Sequence, residues 1–130
     1  MFVLDTNTLI YFFKGRGNVA RHLLAKPPHM IGIPSVVLFE LEVGIAKSSS
    51  PRKRSRQLAE MTASVSVLPF GKAEARAAAE IRADLESSGR TIGPFDLLIA
   101  GTALATGGTL VTRNVREFSR VKGLRLEDWY

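Results

Sequence analysis

The chain contains no cysteine. Disulfides and thiolate metal centres are thereby excluded, and a reducing cytoplasm is the natural compartment. Histidine is nearly as scarce. His22 and His29 are isolated, with no HExxH or comparable spacing, so each is expected to be an ordinary surface or core-edge residue and zinc is not expected. No apolar run is long enough to span a bilayer. Asp5 interrupts the amino terminus and no basic region precedes its apolar run, which argues against a secretory signal. Acidic residues are in the minority: 12 Asp and Glu against 18 Lys and Arg leave a net charge of +6, with a pI near 10.2. A basic surface suits a polyanionic partner, although charge of this size alone does not name a function.

What is present is a chain of 130 residues, expected to fold as one domain over its whole length with a core that needs no staples. Short apolar runs alternate with longer helical patterns. Phe2 to Leu4, Met30 to Ile33, Val65 to Leu68, Leu110 to Thr112 and Leu124 to Leu126 read as strands. Helices are expected near Leu9 to Phe13, Val19 to Ala25, Ser35 to Ala46, Arg52 to Thr62, Ala73 to Ser87 and Phe95 to Thr106. Such alternation predicts an α/β fold with a central, mostly parallel sheet flanked by helices on both faces. The alanine-rich helix from Ala73 reads as packing scaffold, with Gly89 as its stop.

Four carboxylates fall where a lone negative charge is hard to justify: Asp5, Glu40, Asp96 and Glu117. A buried carboxylate protonates, pairs with a cation or holds a metal, and oxygen-rich clusters favour Mg²⁺ or Mn²⁺. Asp5 ends the first strand, where ligands bind in open α/β sheets; an N-cap for the following helix explains it equally. Glu40 has Val36, Val37, Leu41 and Gly44 around it at helical spacing, so it points among apolar neighbours, whereas Glu42 projects elsewhere as a solvated charge. Asp96 follows Gly93-Pro94-Phe95 in the first turn of a helix. The helix dipole alone would favour it there, yet its alignment with Ile99, Ala100 and Ala103 aims it at the core.

The segments Leu4-Asp5-Thr6-Asn7-Thr8-Leu9-Ile10, Ser35 to Gly44, Ile92 to Ala100, Leu110 to Phe118 and Gly123 to Trp129 resemble, in order, those of the PIN-domain ribonucleases, and among them the VapC toxins of prokaryotic toxin-antitoxin pairs. Together they span nearly the whole chain and are highly specific. The resemblance implies a PIN fold with an acidic pocket for Mg²⁺ or Mn²⁺. Asp5, Glu40 and Asp96 match the family's three core acids, which makes them the expected metal ligands, with Glu117 a fourth catalytic acid. Asn114 stands where many PIN domains have Asp, and Glu117 where Asp is common, so a second metal would be held more weakly. Thr6, Asn7, Thr112 and Asn114 are placed to orient ligands or water, and Arg113 or Arg116 to contact substrate phosphate.

The implied function is a metal-dependent endoribonuclease toxin that cleaves RNA, with tRNA the expected class, and blocks translation until neutralised. The implied partners are a small cognate antitoxin, whose carboxyl-terminal segment crosses the pocket and offers a basic side chain to the acids, and a second copy in a homodimer. The haloacid-dehalogenase-like phosphatases also begin with a strand ending in Asp, but they need a second Asp where this chain has Asn7. A non-catalytic PIN-type module for RNA binding or complex building is the other alternative; such a module should have lost acids that this chain keeps. One feature is left over: Arg52-Lys53-Arg54-Ser55-Arg56, with Lys47 nearby, puts positive charge at a helix start, against the helix dipole. It reads either as an RNA or partner contact or as a solvated helix face.

Overall fold

The computed structural model describes residues 1–130. Five strands form one sheet: β1 (Phe2–Leu4), β2 (Ile31–Pro34), β3 (Ser66–Leu68), β4 (Thr109–Val111) and β5 (Arg125–Glu127). Their spatial order is β3-β2-β1-β4-β5, and every neighbouring pair is parallel. The first strand therefore lies in the middle, with later strands added on one side and then on the other. Between β1 and β4 the direction of winding reverses, and the crevice beyond the carboxyl ends of those strands is where such sheets bind ligands.

Seven α-helices connect the strands: α1 (Thr6–Lys14), α2 (Val19–Leu24), α3 (Ser35–Ala46), α4 (Pro51–Ser64), α5 (Lys72–Ser87), α6 (Pro94–Thr106) and α7 (Val115–Phe118). The anticipated strands and longer helices are all present, displaced by a few residues at most. The largest displacement is in α1, which begins at Thr6 instead of Leu9 because Asp5 caps it and draws the polar Thr6-Asn7-Thr8 into the first turn. The short α7 has no periodic pattern to announce it. Gly89 adopts a left-handed conformation, φ 66°, just beyond α5, as the stop requires.

Val3 and Leu4 of β1, Ile31 and Ile33 of β2, and Leu110 and Val111 of β4 are essentially sealed from solvent. Such strands need cover on both faces, which explains their unbroken apolar character. Helix α6 is buried continuously from Ile99 to Ala103, so it has neighbours on opposite sides. One of them is α5, whose Ala78, Ile81 and Leu85 face inward. The two helices meet at Gly101, where a β-carbon would stand 2.8 Å from the backbone nitrogen and 2.7 Å from Cβ of Ala78.

That contact sets a test of the packing. A Gly→Ala change inside a helix ordinarily gains about 1 kcal/mol, but here the added methyl meets α5 backbone that no rotamer change can move. Gly101→Ala should instead lower stability by about 1 to 2 kcal/mol, within the range for overpacked cores. Urea denaturation reads the difference, and a stabilised variant would refute the close approach.

Candidate metal centre

Four elements, β1, α3, α6 and α7, deliver the four acids to the crevice at the carboxyl end of β1, and β4 supports them. Asp5 follows β1 directly and is only 6% exposed. Its Oδ1 accepts the backbone N–H of Thr6 at 2.8 Å, and its Oδ2 accepts the hydroxyl of Thr112, just past β4, at 2.8 Å. The Asp5 backbone N–H donates to the Val111 carbonyl at 3.0 Å, an acceptor shared with the hydroxyl of Thr8, also at 3.0 Å. The β1-α1 turn is thus bolted to the end of β4. Asp5 is the N-cap of α1, as one reading of the sequence expects, and it also feels the charge of Glu40.

Glu40 reaches in from α3, half-buried, with Oε1 accepting the Thr6 hydroxyl at 2.7 Å. Its neighbours Val37 and Leu41 are buried as expected, whereas Gly44 is exposed and lines an open groove beside it. Glu42 points to solvent. Asp96 occupies the first turn of α6, behind Pro94 at the helix start, and is half-buried. Glu117, in α7, accepts the Asn114 side-chain amide at 2.9 Å, and the Asn114 backbone N–H donates to the Thr112 hydroxyl at 3.0 Å. Thr112 therefore links Asp5 to the start of α7, which carries Glu117.

The acids act on one another electrostatically. Burial raises the Asp5 carboxyl above its ordinary range, opposed by the bonds from Thr112 and Thr6 and reinforced by the charge of Glu40. Asp96 is pushed up to about 6, by burial first and then by Asp5, Glu117 and Glu40. No base answers them. The chain's ion pairs, Arg82 with Glu86 and Lys122 with Asp84, lie elsewhere. Like charges gathered in a half-dry crevice without a cation fit the donor set of a hard divalent ion. The acids do not form a ready-made cage, however, since no three acid or imidazole groups stand close enough to hold an ion as they are. Glu40 is bonded to Thr6, and Glu117 to Asn114.

The other residues singled out in the sequence divide. Thr6, Thr112 and Asn114 touch the acids, while Asn7 is exposed beside them on α1. Arg113 is held away from the acids, its guanidinium 3.6 Å from the Tyr130 ring centre and 5.6 Å from that of Tyr11. Arg116 is exposed. His22 stacks on Trp129 at the edge of the core and His29 is exposed. Sequence reasoning missed Thr8, the bolt between α1 and β4, and the aromatic clamp on Arg113. A hydroxyl two residues beyond the first-turn Thr6 gave only a weak signal for the former; Tyr11, Arg113 and Tyr130 are too far apart in the chain to signal the latter.

The PIN domain family model matches residues 2–124. The tRNA(fMet)-specific endonuclease VapC of Shigella flexneri is 40% identical over 128 residues, covering 98% of this chain and 97% of that protein. Ribonuclease VapC2 of Rickettsia felis is 36% identical over 132 residues, covering 99% and 98%. Among solved structures, VapBC2 from Rickettsia felis bound to a DNA fragment from their promoter superimposes with a TM-score of 0.92 at 34% identity, covering 99% of this chain and 98% of that one.

The raised carboxyl of Asp96 gives the centre a pH signature. An acid whose pKa rises on folding favours the folded state while protonated; that contribution is complete below the ordinary value of 3.8 and is lost as pH climbs through about 6. In EDTA, Asp96→Asn should therefore melt higher than wild type at pH 7, and the gap should close as pH falls to 4. Thermal melts across that range measure it. A variant that melts lower at pH 7 would make Asp96 a structural partner instead.

Proposed function

The chain belongs to the PIN-domain family, as a VapC-type ribonuclease, and from that membership we propose that it is a Mg²⁺- or Mn²⁺-dependent endoribonuclease toxin acting in the cytoplasm as a single PIN domain over residues 1–130. Its substrate is RNA, of the tRNA class named for its relatives, and cleavage blocks translation until a cognate antitoxin binds. The observation that carries this reading is the convergence of Asp5, Glu40, Asp96 and Glu117 in one crevice without a cation.

Asp5, Glu40 and Asp96 would hold the ion, and Glu117 borders it. When bound, a divalent ion supplies Lewis acidity: it offsets charge developing on the phosphate and makes water a stronger nucleophile at neutral pH. The protein's own part is to fix the donors. Thr112 and the Thr6 N–H lock the Asp5 carboxylate, the Thr6 hydroxyl steers Glu40, and Asn114 steers Glu117. Because Asn114 is neutral and spends its amide N–H on Glu117, a second ion meets less negative charge there. Asn7 and Arg116, exposed on the rim, are free to meet substrate.

Two surfaces fit the partners. Phe39 (54% exposed) and Val43 (38%) on α3 and Phe95 (44%) on α6 lie open, with the Phe39 and Phe95 rings 5.7 Å apart. A second copy seated on this patch would complete a homodimer beside the acids. An apolar cavity of about 480 Å³, walled by Phe12, Phe13, Leu23, Leu24 and Met61, suits apolar side chains of an antitoxin whose basic residue answers the acids.

Asp5→Asn keeps a good helix cap while removing charge. It and Asp96→Asn should each reduce RNA cleavage by well over about a hundredfold in excess Mg²⁺ with the fold retained, and Thr112→Val by about 10- to 100-fold as a lost support of a ligand. Cleavage by either Asn variant within a few-fold of wild type would overturn the assignment. Phe39→Asp should convert a homodimer to monomer in sedimentation at micromolar concentration; a wild-type monomer would reject the dimer.

A further inference from the structure

The basic run at the start of α4 is not a uniform solvated face. Helix α4 packs on α3 and faces α1 across two adjoining cavities, of about 260 and 370 Å³. The first has Glu40 in its wall. Lys14, Arg54 and Gln57 line both, and the second adds Arg16 and Lys53. The result is one continuous groove that starts at an acid of the crevice and ends among four cations. Beyond Glu40 it contains no acidic side chain.

Each of these cations is exposed and none is in an ion pair. Lys14 gains from its place in the last turn of α1, where the helix dipole favours positive charge. Lys53 and Arg54 have no such excuse. They stand in the first turn of α4, which has no acidic residue, so the dipole opposes them. Arg52, Arg56 and Lys47 share the sequence neighbourhood but do not line the groove.

We propose that the α1-α4 groove is a track for the RNA backbone, in which Lys14, Arg16, Lys53 and Arg54 bind phosphates of a single-stranded segment leading from the scissile bond. This rests on the ribonuclease reading above and adds to it the direction in which the substrate leaves the acids. Phe13, which walls both cavities, gives a base an aromatic surface to rest on. The four cations act as positioning residues. None of them pairs with an acid of the crevice, and their part is to hold the strand that presents the bond.

The test is the salt dependence of affinity for a single-stranded RNA oligonucleotide, measured in Ca²⁺ to suppress cleavage, beside cleavage of the same RNA in Mg²⁺. Each phosphate contact contributes about 0.7 to the slope of log affinity against log salt on single strands. Lys53→Ser with Arg54→Ser should flatten the slope by about 1.4, and adding Lys14→Ser with Arg16→Ser by about 2.8 in all. Arg52→Ser with Arg56→Ser should leave it unchanged. Lys53→Arg with Arg54→Lys should retain the wild-type slope, which separates lost charge from a damaged fold. Wild-type cleavage with equal slopes in the 53/54 and 52/56 variants would overturn the track, as would loss of antitoxin binding alone. Absence of RNA cleavage by wild type would overturn the ribonuclease reading itself, and the track with it.

Discussion

A single constraint organises this molecule: the carboxylate of Asp5 is buried at the end of the central strand and keeps no cation beside it. Burial of an isolated charge costs so much that it is ordinarily avoided. Here two donors, the Thr6 N–H and the Thr112 hydroxyl, offset part of the cost. The carboxyl nonetheless remains raised, so burial outweighs both bonds. The groups around it are arranged to maintain that balance. Thr8 ties α1 to the Val111 carbonyl, Asn114 bonds Thr112, and the β1-α1 turn cannot relax away from β4 without breaking several hydrogen bonds together. The acid is kept where it is unfavourable because the surrounding backbone leaves it nowhere else to go.

The remaining acids depend on packing at a distance. Asp96 sits in the first turn of α6, and α6 is seated by its contact with α5 at Gly101 and by burial of Ile99 to Ala103. A shift of α6 would move Asp96 relative to Asp5 and weaken the repulsion that pushes Asp96 up to about 6. Glu40 depends likewise on α3, which leaves β2 at Pro34 without a side-chain cap and is held by the buried Val37 and Leu41. Packing of the core is therefore also packing of the charges. An ion that binds the folded chain would relieve their repulsion and stabilise the fold by mass action.

Much of this was legible in the sequence, for a physical reason. Carboxylates among apolar residues violate the usual patterning, and Asp5, Glu40 and Asp96 each did so within an element whose period was clear. The order and kind of the elements followed from alternation of short apolar runs with helical stripes. What escaped was of two sorts. Very short elements carry no period: α7 is four residues long and was read only as a motif. The start of α1 is hidden because the Thr6 hydroxyl turns to Glu40 and that of Thr8 to the Val111 carbonyl, which breaks the apolar stripe of their own helix. Groups brought together from remote parts of the chain escaped as well. Nothing in the run Arg52 to Arg56 distinguishes Lys53 and Arg54 from their neighbours until the fold sets α4 across a cavity from α1.

The contrast between an acidic crevice and a chain of net charge +6 is itself informative. Fields from exposed groups fade over roughly 8 to 10 Å at physiological salt, so distant lysines and arginines cannot neutralise the crevice, and no cation pairs with its acids. A polyanion drawn to the basic surface would meet repulsion at the point where reaction must occur. The two fields become compatible only if a small, concentrated positive charge enters between acid and phosphate. On the proposed reading the basic surface would gather the substrate and the crevice the ion, and neither could substitute for the other. Asn114 fits the same logic: by orienting Glu117 without adding a charge, it supports the crevice while limiting the repulsion that the folded chain must bear before any ion arrives.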